Sequence, residues 1–437
     1  LNTEGFYGRD LFLVEIELNP EKIGSISFLY KGFLFIHFTY LSHPEEFVIG
    51  GIIFLLVSIV LGFFIYKKVK YKQKKAKMLK PISAVDTAFS EKTFLQKVEF
   101  TANLLNDAWY SGDMKKVRSF VSGGIYNRFR IQLEIMKKQG IKNKMADWNL
   151  MFLDICEVTN SDHLITIHVL LKAKSKDANF SLEISDEEIQ KKWKHIPEQE
   201  YTEYWSFVRS KSAKSSEGFQ LQFNQCPNCG ADVKNVTDQN KCKHCDAIFN
   251  SGEYDWVLSE ITQEIEWNSM SSPEIAGWSE VQKQFPRMSR QILEDKASVL
   301  FWKWVRCYLE GNQKYLEREI YPSRKLILKE GGEYIRDTAV GSVDLQSFLI
   351  EKDYLEAKLF FKWSAAFSEN SNTIHKESIL TMRTTTNYLD KFGIAELGCE
   401  SCGAPLPEID SIQCSYCSNP IPQKVNDWQF YNLEHFI

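Results

Sequence analysis

CPNCGADVKNVTDQNKCKHC, residues 226–245, sets the terms for the whole chain because it has a counterpart, CESCGAPLPEIDSIQCSYC, residues 399–417. Each is a Cys-x-x-Cys pair, a loop of 12 or 11 residues, and a second Cys-x-x-Cys pair. Cys226, Cys229, Cys242 and Cys245 make the first set, and Cys399, Cys402, Cys414 and Cys417 the second. A Cys-x-x-Cys turn presents two thiolates from one tight loop, and two such turns supply the four ligands, at about 2.3 Å, that tetrahedral zinc needs. Gly230 and Gly403 directly follow the second cysteine of each leading pair, where a positive φ lets backbone N–H groups point at sulfur. Two other chemistries use such spacing. A disulfide framework needs an oxidising compartment, and a thioredoxin-like redox pair is normally single and opens a helix. Four evenly arranged pairs fit neither, so two structural Zn2+ ions are expected, each in a closed cage that folds the chain without catalysing. His244 is left out because four thiolates fill the shell. Cys156 and Cys307 lie in apolar patterns and read as buried core thiols.

The likeness extends beyond the cysteines. Asp255-Trp256 follows Cys245 by ten residues, and Asp427-Trp428 follows Cys417 by ten. VLSEITQEIEW and QFYNLEHF come next, and YTEYWSFVRSK (201–211) and HKESILTMRTT (375–385) precede the ribbons; all read as strands. Each ribbon, 224–250 and 397–420, therefore interrupts the last hairpin of its half. Upstream, Phe94, Val98, Leu104, Leu105 and Ala108 recur at helical spacing, with Ser90 as cap and Gly112 as stop. A short helix from Met114 and a longer one over about 125–139 follow. MSRQILEDKASVLFWKWVRCYLEGN likewise ends at Gly311, and a second helical stretch is expected over 313–329. Each half then turns to strands: 148–158 and 163–173 in the first, 338–350 and 353–367 in the second. Helices followed by an antiparallel meander define the α+β class, and repetition at this length implies tandem domains, 81–266 and 287–437, joined by a linker at 267–286.

FVIGGIIFLLVSIVLGFFIY, residues 47–66, carries no charge, and twenty residues at 1.5 Å each span about 30 Å of hydrocarbon. Eight lysines and no acid follow between Lys67 and Lys80. A lysine excess marks the cytoplasmic side, so 47–66 reads as a transmembrane helix with 1–46 outside and the body inside. The basic tether 67–80 is also suited to anionic lipid in the bilayer surface. LFLVEIEL (11–18) alternates like a strand, and 23–41 is apolar enough for a second span, with Lys31 counting against it. The sequence begins at Leu1 and not Met, as a fragment or a processed chain would. Removing the eight tether lysines from the net charge of −4 leaves −12, and an acidic body argues against nucleic acid as the main partner.

The stretch FLQKVEFTANLLNDAWYSGDMKKVRSFVSGGIYNRFRIQLEIMKKQG, then EYWSFVRS, then DWVLSEI, resembles the domain of subunit 44 of the mitochondrial inner-membrane import translocase, which also occurs in bacterial membrane proteins. The shared features are Ala108-Trp109, Gly112-Asp113, Gly140, and the W-x-F-x-R strand Trp205 to Arg209. The second half departs, with Tyr308 and Asn312 for the Trp and Asp, and LTMR for WSFVR. The resemblance implies a cone-like fold similar to the nuclear-transport-factor-two and cystatin-like architectures, a curved antiparallel sheet wrapped around helices. It also implies a role at membranes, since the mitochondrial relative tethers a chaperone motor and another contacts the membrane as a ribosomal protein.

The expectation is a single-pass cell-membrane scaffold or adaptor in protein transport or membrane-associated assembly, non-catalytic, with protein partners. One alternative is an enzymatic or ligand-binding cone pocket, with residues such as Asp154 and Tyr204 as acid/base candidates. Another is ribosome or RNA binding through the ribbons, although Lys234, Lys241 and Lys243 are offset by Asp232, Asp238 and Asp246. The aromatic runs 301–308 and 360–367 read as core.

Overall fold

The computed structural model describes residues 44–437 apart from Asp162, 216–224, 233–239, 268–274, Ala276, 391–392, 407–410 and Ile437. The expected strand at 11–18, the second span at 23–41, most of the 1–46 segment, much of the linker, and Lys234 and Asp238 lie outside the described residues. The chain forms two units, one ending at Lys77 and the other running from Met78 to Ile437.

Helix α1 (Pro44–Val85) carries the apolar run and the lysines. Within the unit ending at Lys77, Leu55, Leu56, Ile59 and Phe64 are each more than half exposed. A helix apolar on all sides and left exposed by the described residues is a helix suited to lipid. Among the described residues, it is the one helix long and apolar enough to cross a membrane.

The unit Met78–Ile437 uses one plan twice. The first half holds α2 (Glu91–Ser111), a 3-10 turn (Met114–Phe120), α3 (Gly123–Lys138), β1 (Ile141–Asn160), β2 (Leu164–Ser181), α4 (Asp186–Trp193), β3 (Gln199–Ser210) and β4 (Val257–Gln263). The second holds α5 (Trp278–Gln284) within the expected linker, then α6 (Arg290–Glu310), two 3-10 turns, β5 (Arg336–Ile350), β6 (Leu355–Ala366), β7 (Ile374–Thr384) and β8 (Gln429–Phe436). Each set of strands forms an antiparallel meander in chain order. The opening helices start and stop alike. Ser90 and Ser289 accept from the N–H three residues on (Thr93, 3.3 Å; Ile292, 3.2 Å), and Gly112 and Gly311 end them at φ 67° and 63°.

The helix expected over 313–329 does not form. Two 3-10 turns end at Glu319, and Ile320 is drawn into a parallel bridge with Phe430. Pro322, which lacks an N–H and disfavours helix in the residue before it, closes that option. The first half's α3 packs on α6 instead, and its Ile131 and Ile135 belong to the core built around Phe301, Trp302 and Phe361. The aromatic runs are core: Phe301, Trp302 and Phe361 are fully buried.

The edge strands β1 and β5 are bent at matching places. Register slips at 147–148, 151 and 156 in β1 and at 337–338, 341 and 346 in β5, always 190 positions apart. Bulges insert unpaired residues and increase local bend and twist. Asp147 and Asp337 take positive φ (58° and 50°) in the first bulge of each.

A shared clasp ties each ribbon-bearing hairpin to the opening helix of its half. Lys97 of α2 pairs with Asp255, and Lys296 of α6 with Asp427 at 2.7 Å. In both, the other carboxylate oxygen accepts the N–H of the following buried Trp256 or Trp428 at 2.7 Å. The second pair is nearly sealed, at 8% and 5% side-chain exposure, whereas Asp255 is 43% exposed. Removing one partner of a buried pair strands the other charge, at about 3–5 kcal/mol, while an exposed pair contributes about 0–1 kcal/mol. Chemical denaturation of Asp427→Ala is therefore expected to show a loss several times larger than that of Asp255→Ala.

Candidate functional site

The eight predicted cysteines come together as two groups of four, with the four sulfurs of each group within 4.8 Å of one another. Cys226 and Cys245 Sγ lie 3.6 Å apart, Cys229 and Cys242 3.8 Å, Cys399 and Cys417 3.6 Å, and Cys402 and Cys414 3.7 Å. These are not disulfide lengths, which are about 2.05 Å. A tetrahedron of sulfurs about 2.3 Å from its centre has edges near 3.8 Å, so the spacing fits a metal ion. His244 takes no part as a ligand; its N–H points at Cys242 Sγ, 3.4 Å away.

Four turns of one design build the cages. In each, the residue after the second cysteine donates its N–H to the carbonyl of the first: Gly230 (2.9 Å), Asp246 (3.0 Å), Gly403 (2.7 Å) and Ser418 (2.8 Å). All four have positive φ, 71°, 59°, 71° and 59°. The glycines of the leading turns were legible from sequence; Asp246 and Ser418 were missed, because only glycine announces that conformation. Burial pushes the Cys226 and Cys402 thiols up to about 12. Burial opposes ionisation at Cys245 and Cys414 too, but N–H groups aimed at sulfur bring both to about 7. Of the other cysteines, Cys307 is sealed in the core, while Cys156 is only half-buried, its thiol donating to the His168 carbonyl (3.3 Å).

The ribbons touch each other. Lys241 Nζ of the first donates to the Glu400 carbonyl of the second (2.8 Å), and buried Arg118 donates to the Gly403 carbonyl (3.2 Å). At the base of the first ribbon, Ile394 donates to the Ser251 carbonyl (3.2 Å) and its own carbonyl accepts from Gly123 (2.8 Å). Arg318 holds the second ribbon through the Pro422 (2.6 Å) and Ser411 (2.8 Å) carbonyls. Gly403 is indispensable on two counts: its φ is +71°, and a Cβ there would sit 2.7 Å from the Lys241 side chain and 2.8 Å from its backbone nitrogen. Gly403→Ala is expected to loosen both ribbons together, read as faster chelator extraction of metal from both cages; Gly230→Ala, with open space around its Cβ, should affect the first cage alone.

Among the hollows of the unit Met78–Ile437, two are lined by residues of the sheets and helices described above. A cleft of about 400 Å³ opens between α2, α3 and the inner face of the first sheet, lined by Trp109, Phe129, Trp148, Tyr201, Glu203 and Trp205 among others. A smaller cavity of about 50 Å³ lies between β2–β4 and the second half's α6 and β5. Asp154 and Tyr204 line neither; they belong to one cross-sheet row through Leu170, two strands apart, and Tyr204 stacks on Trp267 at 4.4 Å.

Sequence gave no sign of the small cavity's carboxylates. Burial raises Glu260 to about 7, Glu294 to about 8 and Asp295 to about 7, and mutual repulsion with Asp344 adds to the first two. Burial also holds His168 neutral, at about 4. Because these carboxyls keep protons that the unfolded chain releases near pH 4, the folded state binds more protons between about pH 4 and 8. Their contribution is therefore most favourable at the acidic end and is lost as pH rises to about 8. Denaturation midpoints are expected to fall from pH 5.5 to 8.5, and Glu294→Gln should flatten that slope, with differences on the order of a few kcal/mol at the alkaline end.

The W-x-F-x-R strand has a physical reason. Trp205 and Phe207 face the first core, and Arg209 forms a sealed pair with Asp86 (2.6 Å) beneath Trp256. Burial alone would raise the Asp86 carboxyl, but hydrogen bonds from Ser215 and Arg209 hold it below its ordinary value. In the second half Met382 occupies the pairing position of Phe207, opposite Phe430 as Phe207 is opposite Leu258. Arg383 is thereby one residue out of step with Arg209 and pairs with Glu356 (2.7 Å) instead.

The structure is thus of a chain with a membrane-suited helix, an α+β body and two four-cysteine metal-type sites. Residues 75–223, about a third of the chain, match the family model of the Tim44-like domain. Among solved structures, the chain is similar to an "Ntf2 like protein involved in plasmid conjugation", at 10% identity and a TM-score of 0.15, covering 70% of this chain and all of that one. No curated protein matches it.

Proposed function

We propose that this chain is a membrane-tethered scaffold or adaptor serving protein transport or membrane-associated assembly, without catalysis, and braced by two zinc ions. The observation that carries the reading is the adjacency of anchor and module: the Tim44-like match begins at residue 75, within the same helix that holds the apolar run. The lysines after that run favour a cytoplasmic body and attraction to anionic lipid. The matching bulges of β1 and β5 support reading the halves as two cone-like domains, the second related to the first by internal repetition and not by a family match.

Zinc suits the cages because four soft thiolates in tetrahedral spacing select it, and a closed set leaves no position for substrate. Cys226, Cys229, Cys242 and Cys245 would hold one ion and Cys399, Cys402, Cys414 and Cys417 the other. A bound zinc ion contributes folding energy and locks the turns. Elemental analysis of the purified chain is expected to give about two zinc ions, with chelation making those eight thiols reactive while Cys307 stays protected until global unfolding.

A ligand-binding or enzymatic reading finds support in the aromatic cleft. Ribosome or RNA binding draws little, since Lys241 pairs with Asp246 at the ribbon surface. The adaptor reading is tested by in-cell photocrosslinking from the body of the membrane-integrated protein, followed by partner identification. Translocon, chaperone or ribosomal proteins are the expected products, and their absence at every crosslinking position would sink it.

A further inference from the structure

The cleft of the first half has an uneven chemistry. Five of its hydrogen-bond donors are already engaged: Trp109 Nε1 on Asn143 (2.8 Å), Trp148 Nε1 on the Tyr201 hydroxyl (2.7 Å), Trp205 Nε1 on Glu203 (2.9 Å), Gln132 Nε2 on the Thr338 carbonyl (2.8 Å) and Gln263 Nε2 on Glu203 (2.9 Å). The lining adds aromatic surface and three carboxylates: Glu200 at the exposed mouth, Asp177, which accepts from Asn143 Nδ2 (2.6 Å), and Glu203, whose two oxygens accept from Trp205 and Gln263 and keep their negative charge. Arg128 is also there, lying over the Phe129 ring (5.4 Å), donating to the Ile261 carbonyl (3.1 Å) and offset by Glu203 and Glu260; the remaining rings, Trp109, Trp148, Tyr201 and Trp205, carry no such cation among the described residues. Strand alternation turns Lys174 and Lys176 away from the face that carries Ser175 and Asp177, and they lie beside Glu198 (2.7 Å) and Asp147 (3.8 Å).

We propose that this cleft binds a small organic cation, an ammonium or quaternary ammonium head on a compact apolar body. Aromatic faces attract cations through the ring quadrupole, and acceptor-rich walls suit a ligand that brings donors or charge. An anion would meet three carboxylates, and a neutral apolar molecule would desolvate them without compensation. Tyr201 is pushed up to about 12, first by burial and then by the negative charge of Glu203. A volume of about 400 Å³ suits a small molecule or one side chain.

The test is calorimetric titration of the full chain in maltoside micelles with choline, lysine amide, 3,3-dimethylbutan-1-ol (the uncharged isostere of choline) and acetate. Saturable binding of at least one cation is expected, about tenfold tighter than the alcohol. Tighter lysine amide would assign the ligand to a polypeptide side chain, and tighter choline to a free or lipid-borne head. Glu203→Gln should weaken the cation several-fold and leave the alcohol unchanged. Because Glu203 also anchors Trp205 and Gln263, Glu200→Gln at the exposed mouth provides a second variant with the same expected direction. Equal affinity for alcohol and choline, a preference for acetate, no cation binding at all, or unchanged cation affinity in both variants would each overturn the proposal.

Discussion

Inserting a four-cysteine ribbon into a hairpin creates a problem of return: the chain leaves β3 or β7, gathers its four thiols, and must re-enter the sheet in register. The lysine–aspartate clasp meets that constraint in both halves. The aspartate stands just past the ribbon, where one carboxylate oxygen fixes the following Trp N–H and the other takes a lysine from the opening helix. Two residues after each Trp, Leu258 and Phe430 bridge to Val121 and Ile320, so the returning strand is held from two sides. At the second half the pair is nearly dry, and its loss would cost far more than at the first, where water replaces the partner.

The two halves differ where they must share a core. α3 exists once, and its apolar residues extend into the second half's interior. The place of a matching helix is taken by turns and irregular chain after Pro322. The two halves therefore share packing: the second half's core includes Ile131 and Ile135 of the first half's α3.

Much of this was legible in the sequence, and the reasons are physical. Cysteine spacing is a rigid requirement of tetrahedral coordination, so both cages could be named to the residue. The Ser90 cap, the glycine stops and strand alternation placed α2, the end of α6 and all eight strands. The bulges were not legible, because an inserted residue leaves no compositional mark unless it is glycine, as Gly341 alone is. The expected helix over 313–329 failed because a single proline and one backbone bridge outweighed favourable composition. The cleft and the small cavity were hidden for another reason: their walls come from segments far apart in sequence, and nothing in Glu260 or Glu294 reveals that burial will raise them.

The contact between the ribbons has a bearing on biosynthesis. The base of the first ribbon is closed by Ile394, and buried Arg118 finds the Gly403 carbonyl, both contributed by chain made more than a hundred residues later. During translation the first half can gather its four cysteines but not seal them, since the segment that covers them has yet to leave the ribosome. The order of emergence from the exit tunnel thus makes the last ribbon the closing piece of the first half.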